Sequence, residues 1–183
     1  ASTATAIHWH GQEIESYYDG VPWWSGIGEK RAPLIEPGHE FMAKLIPQRV
    51  GSFIYHAHWH DGGQLMGGVQ GPMIVLAAGE TYDPETDKYF IMSSAPPSWF
   101  GGAMLLMNGL PQPTRTMELR VGQTYRFRFM NITPVGDTLH MGLTGQSGPV
   151  QWRPLLKDGA ETPNHDLRTA DQHVAVGETF DFE

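Results

Sequence analysis

The chain has no cysteine among its 183 residues. That absence excludes disulfides, thiolate-ligated zinc, iron–sulfur clusters, thiol nucleophiles and a thiolate–copper electron-transfer centre supplied by this chain. Charge is scarce as well. Only 17% of residues are Asp, Glu, Lys or Arg, and 12 basic against 20 acidic residues leave a net charge of −8 with His neutral. No run of five Lys or Arg occurs, so a nucleic-acid partner is not expected. No apolar run reaches the ~18 residues of a membrane-spanning helix. A basic-then-apolar leader is missing too, and the opening Ala1-Ser2-Thr3-Ala4 reads as a processed or truncated start.

What is present argues for a packed fold. Hydrophobic residues are 40% and aromatic residues 11%, too rich for a disordered chain. Long helical periodicity is missing. Short runs of Val, Ile, Phe, Tyr and Thr sit between Gly and Pro, a pattern of many short strands. The expected strand segments are 51–60, 71–77, 88–93, 104–108, 116–132, 138–143, 150–156 and 172–182. In 124–131, Tyr125, Phe127 and Phe129 alternate with Arg126, Arg128 and Met130, which predicts a half-buried strand with one apolar face. Turns are expected at Val121-Gly122-Gln123 and Val176-Gly177-Glu178. The fold class is all-β, an antiparallel sandwich or barrel. Residues 79–88 are polar and carry Pro84, so they make the best linker. This divides the chain into residues 1–80 and residues 81–183. The first part is short for a sandwich of ~100 residues, so it is expected to miss its opening strands.

Five of nine histidines fall in two windows, Ile7-His8-Trp9-His10-Gly11 and Tyr55-His56-Ala57-His58-Trp59-His60-Asp61. Residues i and i+2 of a strand share a face, with Cα atoms ~6.5–7 Å apart. His8 and His10 therefore share a face, and so do His56, His58 and His60. Two neighbouring strands of this kind gather at least four imidazoles, a donor set suited to copper, zinc, iron or nickel. His39, His140, His165 and His173 are isolated in sequence and read as structural or exposed. Trp9, Trp23, Trp24 and Trp59 flank the clusters and are expected to wall them from water.

The motifs resemble those of the multicopper oxidases, the laccase family. Ile7-His8-Trp9-His10-Gly11 is similar to the family's first copper motif, and Tyr55-His56-Ala57-His58 with Gly68-Val69-Gln70-Gly71-Pro72 to its second. Asp19-Gly20 and Pro33-Leu34-Ile35-Glu36-Pro37-Gly38 resemble landmarks between them. Leu106-Met107-Asn108-Gly109, Tyr125-Arg126-Phe127-Arg128 and Val176-Gly177-Glu178-Thr179-Phe180-Asp181 resemble the second domain. His58-Trp59-His60-Asp61-Gly62-Gly63-Gln64 also fits the second motif in a shifted register, so His60 stands as a substitute ligand or a supporting group, with Asp61 beside it.

The resemblance implies two cupredoxin-like Greek-key β-sandwich domains. His8 would bind the type 2 copper, and His10, His56 and His58 the type 3 pair. Asp19 would be the catalytic carboxylate that passes protons to oxygen. The partners implied are O2, a small reducing substrate such as a phenol, and a further cupredoxin domain carrying His-Cys-His, because no type 1 copper can form here. The implied home is secreted or periplasmic. The isolated chain is expected to be inactive as an oxidase. Two other readings use the same residues. One is a copper-storage module. The other is a zinc hydrolase built on His56, His58, His60 and Asp61.

Overall fold

The protein is described here from a computed structural model, which covers residues 2–100, 104–111, 115–134 and 138–183. Strands dominate. In chain order the principal ones are β1 (Ile7–His10), β2 (Gly51–Ala57), β3 (Gln70–Val75), β4 (Asp87–Ala95), β5 (Met104–Met107) and β6 (Arg126–Asn131). They continue with β7 (Leu139–Gly142), β8 (Pro154–Lys157), β9 (Ala160–Glu161), β10 (Asp171–Val174) and β11 (Thr179–Phe182). One helix, α1 (Asp61–Met66), lies between β2 and β3.

Three sheets form layers. The first has the order β1-β2-β3, with both pairings antiparallel. The second has six strands in the order β9-β8-β11-β6-β4-β5, antiparallel except for the parallel pair β4–β6. The third is the antiparallel pair β7–β10. Apolar side chains fill both gaps beside the six-stranded sheet. Towards β7–β10 lie Phe90, Phe127, Phe129, Trp152, Phe180 and Phe182 with Met92, Met141 and Val174. Towards β2 and β3 lie Ile54, Ile91, Met130 and Ile132, with Ile74 packed against them.

This middle position explains one difference from the expected pattern. β6 is buried on both faces, because the first sheet covers the side that carries Arg128 and Met130. Arg128 is only 1% exposed. Its guanidinium donates to Asp87 at 2.6 and 2.7 Å and to Asp181 at 2.6 Å. Ser52 of β2 donates its hydroxyl to Asp181, and Thr179 of β11 donates to the Ser52 carbonyl at 2.6 Å. A buried ionic network thus ties the first sheet to the second. Burying charge this deeply is tolerated only because every carboxylate oxygen and guanidinium nitrogen of the network finds a partner.

Other segments are shorter than expected. The run 116–132 is a strand only from Arg126, because Gly122 turns at φ +82° ahead of it. The run 172–182 is two strands, split where Gly177 takes φ +83°. The run 51–60 stops at Ala57. His60 is left-handed at φ 52°, and its carbonyl accepts the N–H groups of Gly63 and Gln64 to start α1.

Candidate metal centre

The register of β1 on β2 places His8 opposite His56 and His10 opposite Ile54, so the three histidines face the same way. His58 extends this pairing past the end of β2, its N–H donating to the Ala6 carbonyl at 2.9 Å. The ring of His8 lies 5.7, 5.3 and 5.4 Å from the rings of His10, His56 and His58. The ring of His56 lies 5.5 Å from His10 and 5.8 Å from His58. The four imidazoles singled out in the sequence therefore share one site.

The hydrogen bonds decide which nitrogens remain available. His8 Nδ1 lies 2.9 Å from the Asp19 carbonyl and 3.3 Å from Asp19 Oδ1. His56 Nδ1 lies 2.8 Å from the Ala57 carbonyl. Both Nδ1 atoms are thereby assigned as donors, which leaves Nε2 of each ring with its lone pair. His10 works the other way round. A methyl group placed on Gly177 would sit 2.8 Å from His10 Nε2, so the β10–β11 turn closes off that edge. Nδ1 of His10 points instead at His56 Nε2, 3.4 Å away. Two imidazole nitrogens bound at ~2.0–2.1 Å to one tetrahedral ion stand about 3.4 Å apart. Ligand atoms of His8, His10 and His56 all lie within 4.8 Å of one another.

Burial and charge treat His8 differently from His10 and His56. Burial pushes His10 and His56 down from the ordinary histidine pKa, and the neighbouring His8 pushes them further. Their neutral, ligating form is thus favoured. Burial acts the same way on His8 but is outweighed by the hydrogen bonds and charge of Asp19, so its pKa is raised. Asp19 is lowered, first by its hydrogen bond to His8, against the opposing effect of burial. His8 and Asp19 form a hydrogen-bonded couple at the edge of the cluster.

Asp19 is held there by local structure. It ends the short 3₁₀ turn Ser16–Tyr18, and its Oδ2 accepts from the Ser25 hydroxyl at 3.0 Å. Gly20 then passes so close to β1 that a Cβ would lie 1.7 Å from the Ile7 carbonyl oxygen. Only glycine allows this approach, at φ +83°, which gives the Asp-Gly pair a physical reason.

Some expected residues stay outside. His60 does not share the face of His56 and His58, because its left-handed backbone turns it away and leaves it exposed, its ring packed on Trp59. Asp61 is exposed at the start of α1. The arrangement of His56, His58, His60 and Asp61 needed for a zinc hydrolase is therefore not assembled. Gln64 anchors the N-terminal segment instead, accepting from Thr5 at 2.6 Å and donating to the Ala4 carbonyl at 2.8 Å. Trp24 is 82% and Trp23 58% exposed, so neither walls the cluster from water. Gly177, which confines His10 from a distant part of the chain, carries no sequence signal beyond its turn. A cleft of about 270 Å³ lies elsewhere, beside Glu80, Asp83, Asp87, Arg126 and Glu183, and the clustered histidines do not line it.

The geometry can be set beside known proteins. Residues 1–80 match the family model described as multicopper oxidase. Copper resistance protein A of Pseudomonas syringae pv. tomato is 38% identical over 86 residues, covering 47% of this chain and 12% of that protein. L-ascorbate oxidase of Nicotiana tabacum is 28% identical over 160 residues, covering 70% of this chain and 26% of that protein. Among solved structures, blue copper oxidase from Nitrosomonas europaea superimposes on 100% of this chain and 59% of its own, with a TM-score of 0.78 and 21% identity. The fold is thus the cupredoxin-like β-sandwich architecture of the multicopper oxidases. Residues 1–80 are thus similar to the multicopper oxidase family. The chain spans about a quarter or less of these two curated relatives.

Proposed function

We propose that this chain supplies one half of the ligands of a trinuclear copper cluster in a laccase-like multicopper oxidase. The observation that carries the reading is the four-histidine site, in which hydrogen bonds and a backbone turn leave a defined nitrogen on each of three rings. The donor set fits copper, since it is all imidazole, partly dry and held neutral at His10 and His56. His10, His56 and His58 would hold the type 3 pair, and His8 the type 2 ion. Copper, when bound, supplies the one-electron chemistry that links a reducing substrate to O2.

The chain's own residues contribute position and protons. The Ala57 carbonyl fixes the tautomer and rotation of His56, and the Asp19 carbonyl does the same for His8. The Asp19 side chain touches His8 while remaining 31% exposed. It therefore reaches from the half-buried site to bulk water, and its Oδ1 and Oδ2 can carry protons that the reduction of O2 consumes. Reduction of one O2 to two waters takes four electrons and four protons, so four one-electron oxidations of a phenol balance it.

Residues 1–80 form the copper-bearing unit and residues 81–183 a second unit without a copper motif. Electron entry requires a further cupredoxin domain with a His-Cys-His segment. Residues 1–183 alone lack that cysteine and are inactive with phenols. The setting is secreted or periplasmic. The test uses an oxygen electrode and a phenolic substrate, on this chain and on the natural protein that contains it. The reading expects no turnover by the chain alone and four phenols oxidised per O2 by the natural protein. Steady O2 uptake by the chain alone, or none by the copper-loaded natural protein, would contradict it. The likeness to a copper resistance protein favours copper storage as the second reading. Tight copper retention without O2 uptake in the natural protein would select it.

A further inference from the structure

Two histidines outside the cluster meet on the opposite side of the second core. In the antiparallel pair β7–β10, His140 stands directly opposite His173. Burial alternates along both strands. Met141 and Val174 are buried at 6% and 0% exposure, whereas His140, His173 and Asp171 are exposed. All three therefore project from the solvent face. Asp171 is paired with Gly142, which has no side chain, so its carboxylate is free to lean towards His140.

The two imidazoles meet across the strand pair. The two rings lie 3.6 Å apart between centroids, tilted by 57°. His140 Nδ1 is 3.2 Å from Asp171 Oδ1. The carboxylate accepts a hydrogen bond from the Nδ1–H of His140, which leaves Nε2 as the ligand atom. The ring of His173 has no hydrogen-bond partner among the described residues.

We propose that His140 and His173, oriented by Asp171, form a second, surface site for a divalent transition-metal ion, with Cu2+ bound most tightly. Two imidazoles from facing strands supply the ligands and water completes the shell. Imidazole donors at an open site follow the general order in which Cu2+ exceeds Zn2+. Both ligands come from strands outside the His8 cluster, so the site does not depend on that cluster being filled.

The experiment is equilibrium dialysis of the full chain against Cu2+ alone, with copper counted per chain. In a His8→Ala/His56→Ala variant, which disables the buried cluster, one equivalent of Cu2+ remains and shows nitrogen hyperfine structure by electron paramagnetic resonance. Adding His140→Gln and His173→Gln removes it, and Asp171→Asn weakens it by about 10- to 100-fold. If the cluster variant fails to fold, His140→Gln/His173→Gln in the otherwise unchanged chain serves instead and lowers the total by one equivalent. Exposed positions make that variant fold normally by circular dichroism. A cluster variant that folds but binds no copper, or copper that survives loss of both surface histidines, overturns the proposal.

Discussion

Replacing Gly177 by alanine tests whether the second half of the chain positions a ligand in the first. Two costs arise. The backbone at φ +83° is left-handed, which costs a non-glycine residue about 1–3 kcal/mol. The new methyl also meets His10 at 2.8 Å from Nε2 and 3.0 Å from Cε1. Against a comfortable separation of ~3.5 Å, the ring must give by about 0.5–0.7 Å. That exceeds the ~0.5 Å within which a metal or catalytic constellation stays productive. His10 cannot retreat freely, because its Nδ1 already faces His56 Nε2 at 3.4 Å. Gly122 provides the matched control, with φ +82° and nothing within 4 Å of an added Cβ. Gly122→Ala should lose the backbone cost alone and keep its copper. Gly177→Ala should lose more stability and bind copper at least about tenfold more weakly, equal to ~1.4 kcal/mol. Denaturant titrations and copper dialysis on both variants measure this. Equal copper affinity in the two variants would refute the contact's role.

Three further outcomes are expected. His10→Ala with His58→Ala should abolish copper binding at the buried site, seen as loss of those equivalents in metal analysis while the His140–His173 copper persists. Arg128→Met should cost about 3–5 kcal/mol in urea or guanidinium unfolding, because the buried Asp181 and the part-buried Asp87 are then left without this cation. Glu178 is opposed by burial, but the Ala175 N–H and Lys157 outweigh it and lower its pKa. Its contribution to stability is therefore present above the unfolded glutamate pKa of ~4.3 and is lost as pH falls through the lower folded value. Glu178→Gln should flatten that acid limb by less than about 1 kcal/mol, since Lys157 is 44% exposed and solvent screens the pair.

The parts of the fold legible in sequence were those set by local period. The alternation of His8 and His10, and of His56 and His58, follows from the strand repeat of two and survives in the observed register. Tyr125-Arg126-Phe127-Arg128 gave the strand but not its surroundings. Alternating charge suggested a wet face, whereas Arg128 is buried because Asp87, Asp181 and Ser52 arrive from three other strands. The face assigned to His60 failed for a local reason, a single left-handed residue where the strand gives way to α1. The pairing of His140 with His173 was invisible, because only the β7–β10 register brings such separated residues together. The same holds for Gly177 beside His10. Contacts between distant strands carry no local signal, and they are what complete both histidine sites.

The central claim is that the imidazoles of His8, His10, His56 and His58 bind copper without sulfur. X-ray absorption at the copper edge, on copper-loaded His140→Gln/His173→Gln chain, tests it most directly. The account predicts a first shell of nitrogen and oxygen at about 2.0 Å with outer scattering from several imidazoles. A sulfur shell, or a shell unchanged when His10 and His58 are replaced by alanine, would contradict it.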